Sequence, residues 1–358
     1  MSITHDRPTS TVPLHAHLHP SVTGALSVAL VGTYPPTQCG IATFTAALGN
    51  GLSEVGAGRV GVVRLGNGDA LSWDPKVVAE MLPGLSRSRI DAARVINSHD
   101  VVMIQHEFGV FGGPDGDEVL DLLDDIVIPV IVTLHTVPLR PSPGQRAVLE
   151  AVLRRADVVV TMTRIARDRL LSLYRVSPEK VVTIPHGATV PHLESSPPPD
   201  RVELLTWGLL GPGKGIEWVV EALSRVADLR GSVHYTVAGQ THPKVKAERG
   251  EEYRTMLKDR AHQLGVADMV RFDDTYRRLP DLLELVAGST CVVLPYDSDD
   301  QITSGVLVDA VSAGKPVIAT GFPHAAELLC GGVGILVPHK DPVAMSEAIR
   351  ALVTNPPL

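Results

Sequence analysis

Short apolar runs rich in β-branched residues recur along the first half of the chain, and helix-like stretches separate them. Most of these runs are continuously apolar rather than alternating, which is typical of parallel strands covered on both faces. The predicted strands are Leu26–Gly32, Val60–Leu65, Asp100–His106, Val127–His135, Asp157–Thr163 and Val181–Pro185. The predicted helices are Ile41–Val55, Glu118–Ile126, Gln145–Arg155 and Ile165–Tyr174. This alternation predicts a doubly wound α/β domain.

The same alternation restarts after residues 195–200, where two serines precede three consecutive prolines that favour extended geometry. The second set of strands is Glu203–Gly208, His234–Ala238, Met269–Phe272, Cys291–Pro295, Pro316–Thr320 and Gly334–Val337. The second set of helices is Ile216–Ala227, Tyr253–Leu264, Pro280–Ala287, Val306–Ala313 and Val343–Leu352. We therefore expect a disordered leader at 1–24, a Rossmann-like domain at 25–194, a linker at 195–200 and a second Rossmann-like domain at 201–340. A long surface loop is the alternative to the linker. Two such domains would face each other across a cleft.

Composition narrows the function classes. With 358 residues, 44% apolar and 20% charged, the chain is long and apolar enough for two folded domains. Its net charge of −8 argues against a nucleic-acid partner, although it leaves room for a local basic pocket. The three cysteines, Cys39, Cys291 and Cys330, are too few and too widely spaced for a disulfide framework or a zinc site. We expect a cytoplasmic protein without a membrane span, and peripheral membrane contact stays open.

The strongest local motif is the glycine-rich stretch from Gly208 to Gly215, between a predicted strand and a predicted helix. Glycines let backbone N–H groups approach an anion, and Lys214 is placed to reach a phosphate. Gly208, Gly213 and Lys214 are therefore candidate ligands of a phosphate. A P-loop would need Ser or Thr where Gly215 stands, so that reading is weak. A glycine-rich turn with a solvated lysine is the remaining structural alternative.

Two further helix starts follow predicted strands. Gly40 opens the helix after the first strand, but the stretch before it is not the dinucleotide fingerprint, and Arg64 and Asn67 stand where a ribose-binding acid would be. A nicotinamide enzyme is thus disfavoured. The other start is the run Thr303-Ser304-Gly305-Val306, which offers hydroxyl and N–H groups to an anion. Simple N-capping by Ser304 is the alternative, but it does not explain the polar run Asp297–Gln301 before it.

Several stretches together resemble the GT-B glycosyltransferases of the retaining family-4 type, over residues 26 to 355. The stretches are Gly208–Gly215, Gln301–Asp309, Ala313–Thr320, Glu327 after Gly321-Phe322-Pro323, and Val182–Gly187. Two further stretches resemble a subgroup of that family. They are Gln105–Gly113, which reads QHEFGVFGG, and Thr241-His242-Pro243. The chain departs from the family in three places. Leu209 stands for an Arg that binds the diphosphate, and Gln301 and Asp309 stand for the two Glu of an E-x7-E element.

No metal or other cofactor is expected if Lys214 and helix N–H groups neutralise the diphosphate; a magnesium ion held by Asp297 and Asp299 is the alternative. The resemblance implies a bacterial hexosyltransferase. It would move a hexose, with retention, from a nucleoside diphosphate sugar to a hydroxyl of a sugar or small molecule, with GDP-mannose or UDP-glucose favoured as donor. The donor-binding residues would be Gly40, Gly208, Gly213, Lys214, Asp300, Gln301, Thr303, Ser304, Gly305, Val306 and Asp309. The acceptor-binding residues would be Gln105, His106, Glu107 and Phe108. His135, Glu107 as general base, and Lys214 would carry the chemistry. The resemblance also suggests that the final helix, within 341–358, crosses back to the first domain. A sugar-nucleotide epimerase and a nucleotide-binding module without transferase activity are the alternatives.

Overall fold

The computed structural model describes residues 24–66, 68, 70–188 and 201–354. They form two α/β domains, each built on a fully parallel sheet, which confirms the predicted fold class. The predicted linker and all but the last residue of the predicted leader lie outside the described residues. The exact domain boundaries therefore stay predictions.

The first domain contains a seven-stranded sheet in the order β3-β2-β1-β4-β5-β6-β7. Its strands are β1 (Val28–Gly32), β2 (Val60–Leu65), β3 (Val77–Met81), β4 (Val101–His106), β5 (Val130–Leu134), β6 (Val158–Thr161) and β7 (Val181–Thr183). Its helices are α1 (Gly40–Glu54), α2 (Ser86–Ile96), α3 (Glu118–Asp125), α4 (Pro143–Arg155) and α5 (Arg164–Leu173). The sequence prediction missed β3 and α2.

The second domain contains a six-stranded sheet in the order β10-β9-β8-β11-β12-β13. Its strands are β8 (Val202–Trp207), β9 (Val233–Ala238), β10 (Val270–Asp273), β11 (Cys291–Leu294), β12 (Val317–Thr320) and β13 (Ile335–Val337). Its helices are α6 (Ile216–Arg225), α7 (Pro243–Arg249), α8 (Glu252–Gln263), α9 (Leu279–Ala287), α10 (Gly305–Ser312), α11 (Pro323–Leu328) and α12 (Pro342–Thr354). Of these elements, the short helices α7 and α11 were not predicted.

Burial explains why the apolar runs become central strands. Every residue of β1 and of β11 is buried, as expected for parallel strands with helices on both faces. The helix α4 begins at a capping box, in which Ser142 accepts the Gln145 N–H at 3.0 Å and the Gln145 side chain accepts the Ser142 N–H at 2.9 Å. Local capping and two-sided burial thus agree with the alternating pattern.

The last helix packs on its own domain. The buried side chains of α12, including Met345, Ile349 and Leu352, belong to the second-domain core, and Arg350 forms an ion pair with Asp228 just after α6. The crossing of the final helix, within 341–358, to the first domain stays a prediction. Among the helices of the described residues, none is long and apolar enough to cross a membrane. Peripheral membrane contact stays a prediction.

The strand order places a crevice in each sheet. In the first sheet the order reverses between β1 and β4, and in the second between β8 and β11. Ligands of open parallel sheets bind outside the carboxyl ends of the strands at such switch points. The loops that begin after Gly32, His106, Trp207 and Leu294 are therefore the expected walls of a site.

Direct contacts join the two domains beside these loops. Thr163 before α5 donates its hydroxyl to the Ile302 carbonyl oxygen at 3.1 Å, and Ile302 packs into the first-domain core. The Glu327 carboxylate in α11 accepts the N–H groups of Arg164 and Ile165 at the start of α5, both at 2.9 Å. A carboxylate at a helix N-terminus is a favourable charge arrangement. The second domain is thus fastened to the first next to the predicted donor loop.

Candidate active site

The glycine turn after β8 faces the first turn of α10. Gly208 has a φ of +118°, and a Cβ at this residue would have the Val306 side chain 3.9 Å away. Gly215 is the N-cap residue of α6 and has a φ of +65°, and a Cβ there would overlap the Pro295 carbonyl oxygen. Only glycine fits this left-handed conformation against the neighbouring backbone. The local fold therefore brings the turn and the α10 start to one edge of the sheet.

Lys214 extends from this turn over an aromatic ring. Its Nζ lies 4.5 Å from the centroid of the buried Tyr296 ring, a cation–π contact. Asp297, which opens the predicted polar run, accepts from the Trp218 indole at 2.8 Å, and its N–H donates to the Gly213 carbonyl at 2.9 Å. These bonds fix the turn to the loop after β11. Within the described ranges no group of three His, Cys, Asp or Glu residues could hold a metal ion.

The start of α10 is held from two sides. Ser304 caps the helix by accepting the Leu307 N–H at 3.3 Å, so the predicted capping role is real. The Ser304 N–H donates to Nδ1 of His324 at 2.8 Å. The buried Oγ1 of Thr303 has no partner among the residues described. Gly305 then opens the helix, where the first N–H groups have no acceptor within the helix.

The remaining predicted donor residues differ in their surroundings. The Gln301 amide donates to the Thr303 carbonyl oxygen and so shapes the loop. The Asp300 carboxylate accepts the Leu139 N–H at 3.1 Å and pairs with the buried Arg169 guanidinium. Asp300 thus joins the two domains, and its predicted role in binding the donor sugar stays a prediction. Asp309 lies half-buried one turn further along α10. Across the cleft, Gly40 is exposed at the start of α1.

His135 lies at the carboxyl end of β5, in the opposite wall. Its Nε2 is 2.9 Å from Oε1 of Gln105, and its ring packs edge-on against Phe44 at 5.0 Å. Because Oε1 can only accept, Nε2 carries the proton in this arrangement and Nδ1 remains an acceptor. Burial, together with the nearby imidazoles of His186 and His106, lowers the pKa of His135 to about 3. His135 is therefore a neutral imidazole at physiological pH.

At the end of β4, Gln105 and His106 are buried, whereas the carboxylate of Glu107 is only partly covered. Gln105 and His106 are 0% and 1% exposed, and burial lowers the pKa of His106 to about 4. Both side chains are therefore buried, and their predicted acceptor-binding role stays a prediction. His106 packs against Phe108, which is itself buried. Glu107 is only half-buried. Gln105 orients His135 through the hydrogen bond between its Oε1 and the His135 Nε2.

Glu107 is held in a defined orientation. Its carboxylate accepts from the Thr136 hydroxyl and from the Phe108 N–H, the latter at 3.0 Å. Burial raises the pKa of Glu107, while these hydrogen bonds and the positive charge of Lys244 oppose that rise. A carboxylate with a raised pKa is a better proton acceptor near neutral pH than an ordinary one.

Three residues of this site were missed as candidates by the sequence prediction. His186 lies beside the start of α10, since its Nε2 is 3.3 Å from where a Gly305 Cβ would lie, and its ring is 5.0 Å from that of Phe44. Burial lowers the pKa values of His186 and of His324, the latter to about 4. Phe44 connects His186 to His135. The Pro185-His186-Gly187 strand end was visible in the sequence, but its position across the cleft was not.

Two family models match the chain, one for each domain. Residues 201–355 match the model described as glycosyl transferases group 1, and residues 40–190 match the model described as Glycosyltransferase Family 4. With the two parallel sheets, these matches support a group 1 glycosyltransferase of the GT-B fold.

Curated relatives carry names of the same kind. A D-inositol 3-phosphate glycosyltransferase 1 from Catenulispora acidiphila is 28% identical over 64% of this chain and 59% of that protein. A phosphatidyl-myo-inositol mannosyltransferase from Mycobacterium leprae is 26% identical over 63% of this chain and 58% of that protein. The matched part of the chain thus spans less than two thirds of the length of these relatives.

Solved structures share the fold. The crystal structure of Anabaena HepE in complex with UDP and glucose matches with a TM-score of 0.69 at 16% identity, covering 91% of this chain and 90% of that one. Sucrose-phosphate synthase from Thermosynechococcus elongatus matches with a TM-score of 0.72 at 17% identity, covering 92% and 90%. At these identities the likeness concerns the fold alone.

Proposed function

We propose that the chain is a hexosyltransferase that moves a hexose from a nucleoside diphosphate sugar to a hydroxyl of a sugar or small-molecule acceptor, with retention. One observation carries this proposal. Gly305, at the start of α10, lies next to His186. The Phe44 ring packs against both His186 and His135, and His135 lies on the opposite wall. The helix start that we propose as the diphosphate site and the wall that carries His135 therefore lie next to each other. The family matches and the names of the relatives support the same activity.

The donor would bind to the second domain. Lys214 and the first N–H groups of α10 would hold the diphosphate and stabilise the charge that develops as the bond from the sugar C1 to the phosphate oxygen breaks. The neutral His135 would contact the donor sugar through Nδ1, which can accept a hydrogen bond from a sugar hydroxyl. We favour GDP-mannose or UDP-glucose, since one relative is named a mannosyltransferase and HepE was solved with UDP and glucose.

The acceptor would enter from the first domain. Its hydroxyl oxygen forms the new bond to C1, and its proton passes to the departing diphosphate or to Glu107, which faces the same cleft. Retention would then follow from attack on the face that the diphosphate leaves. This reaction consumes no cofactor, and lysine and helix N–H groups would take the place of a metal ion.

The proposal is tested by ligand binding and turnover. A panel of UDP-, GDP-, ADP- and dTDP-sugars is screened by thermal shift, and a bound donor at 100 times its dissociation constant should add about 2.7 kcal/mol to stability. Calorimetry then compares Lys214→Ala with Lys258→Ala, an exposed lysine of α8. Loss of a charge-assisted hydrogen bond should weaken nucleoside diphosphate binding by about 1–3 kcal/mol in the first variant only.

Turnover distinguishes a transferase from the alternatives. The identified donor is incubated with sugar and polyol acceptors, including inositol phosphate because relatives are named for it, and products are read by mass spectrometry. A glycosylated acceptor is the expected result. Epimerised donor without acceptor, or nucleotide binding with no turnover, would refute the transferase; neither alternative has support in the comparisons.

A further inference from the structure

The proposed diphosphate site is one cation short. The glycine turn after β8 carries Lys214, but Leu209 stands where the resembled family has an arginine for the diphosphate. A diphosphate leaving group carries several negative charges, and one lysine with backbone N–H groups neutralises them incompletely. If the proposed function holds, another positive group is expected near Leu209.

The loop after β9 lies directly beside this position. The Leu210 N–H donates to the Gln240 carbonyl oxygen at 2.8 Å, and the His242 N–H donates to the Leu210 carbonyl oxygen at 2.8 Å. Leu210 and Thr241 thus pair as in a parallel sheet. The backbone of residues 241–242 therefore runs alongside Leu209 and Leu210.

Helix α7 packs against the same turn. A Cβ at Gly211 would come within 3.2 Å of the Val245 side chain of α7, which is tighter than ordinary contact. The Lys244 N–H donates to Nδ1 of His242 at 3.2 Å, so Nε2 of His242 carries its proton and is a donor. The side chains that precede Val245 are in this way held next to the phosphate turn.

Lys244 reaches into the cleft between the two halves of the site. It is exposed, and its Nζ donates to the Gly109 carbonyl oxygen of the first domain at 3.1 Å. Burial, then the charge of Lys244 and then that of Lys214, lowers the pKa of His242, so both ammonium groups act on one ring. Lys244 also acts on the carboxylate of Glu107. Its positive charge therefore stands between the donor turn and the acceptor wall.

We propose that Lys244 supplies the second positive charge to the nucleoside diphosphate, in place of the arginine that the turn lacks at Leu209, and that His242 donates its Nε2–H beside it. This rests on the proposed function. When the donor binds, Nζ exchanges the neutral carbonyl of Gly109 for a phosphate oxygen, and a bond between two charged groups is the stronger of the two. Neither Lys244 nor His242 belongs to the donor set expected from the sequence.

The experiment measures binding of a nucleoside diphosphate and of the matching nucleoside monophosphate by calorimetry. Lys244→Ala should weaken diphosphate binding by about 5- to 150-fold and monophosphate binding much less, because only the diphosphate needs both cations. Lys246→Ala is the matched control, since Lys246 is exposed on the same helix and pairs with Glu251. It should change affinity by less than about threefold, as for a surface ion pair.

Two further variants separate charge from structure. Lys244→Arg keeps the charge and should retain diphosphate affinity within about threefold. Leu209→Arg in the Lys244→Ala background should restore most of the lost affinity, because it returns a cation to the turn. Equal losses for both nucleotides would overturn the inference, since they would indicate a general effect of the Gly109 contact.

The outcomes also separate this inference from the proposed function. If the wild-type chain binds nucleoside diphosphates and Lys244→Ala binds them equally well, the inference alone is wrong. If the wild-type chain binds none of them, the proposed function fails and the inference fails with it.

Discussion

The hydrogen bond between Gln105 and His135 offers a direct test of the acceptor wall. Gln105 is fully buried at the end of β4, and its Oε1 lies 2.9 Å from Nε2 of His135. The substitution Gln105→Met keeps nearly the same length and shape but removes the acceptor. We expect His135 to lose its fixed tautomer and orientation, because no other partner for Nε2 appears among the described hydrogen bonds.

For Gln105→Met the structure predicts a small change in the free energy of unfolding and a large loss of activity. Leaving the buried Nε2–H of His135 unpaired costs about 1–3 kcal/mol. The Gln105 amide nitrogen is itself buried and has no partner within the described ranges, so its removal relieves a penalty of similar size. The unfolding free energy should therefore change by about 1 kcal/mol or less. Loss of 1–3 kcal/mol of transition-state positioning would lower kcat/KM by about 5- to 150-fold.

The assay combines turnover with a measurement that needs no substrate. Donor turnover gives kcat/KM, denaturant unfolding gives stability, and ¹⁵N NMR of the imidazole reports whether Nε2 carries the proton. Thr161→Val is the control, since it removes a part-buried hydrogen bond to Thr183 in the same sheet and leaves the hydrogen bond between Gln105 and His135 in place. An unchanged tautomer and unchanged kcat/KM in Gln105→Met would refute the reasoning, and so would an equal loss of activity in Thr161→Val.

Two further predictions concern the frame of the cleft. Glu327→Ala removes the acceptor of two N–H groups at the start of α5, which should weaken the domain contact by about 1–3 kcal/mol. Small-angle X-ray scattering should then show a broader distribution of domain arrangements. A scattering profile identical to that of the wild type, or to that of Glu327→Gln, would contradict this. Gly213→Ala and Gly215→Ala both place a side chain at positive φ, which costs about 1–2 kcal/mol, but only the second also overlaps a neighbouring carbonyl oxygen. Denaturant unfolding should show a loss that is larger by about 1–3 kcal/mol in Gly215→Ala, and equal losses would count against the assignment.

The fold followed from the sequence wherever burial was two-sided. Strand β11 is continuously apolar, and its predicted bounds agree with the structure within one residue. The edge strand β3 was missed because it is short and only its last residue is buried. The helix α2 was missed because it begins with four alternating Ser and Arg residues, so its apolar residues mark a helical period only over the remaining part.

The candidate site was predictable only in part. Glycine turns and helix starts are local features, so the donor side could be read from Gly208, Lys214 and Ser304. The partners of a side chain are not local. Asp300 meets Arg169 across the domain boundary, and Gln105 faces His135 from a different strand. Neither pairing has a signature in the spacing of residues.

The burial of Ile302 in the core of the first domain determines how this cleft can open. Ile302 belongs to the second domain by sequence, yet it is 1% exposed within the core of the first. Pulling it out would expose apolar surface at a cost of about 1.5–3 kcal/mol, so we expect the domains to rotate about Ile302 rather than to separate. Gln301 and Ser304 lie next to this pivot and would hardly move. The contact between Lys244 and Gly109 also joins the two domains, and we expect it to break in such a rotation. The donor loop would thus stay in place while the cleft beside it opens.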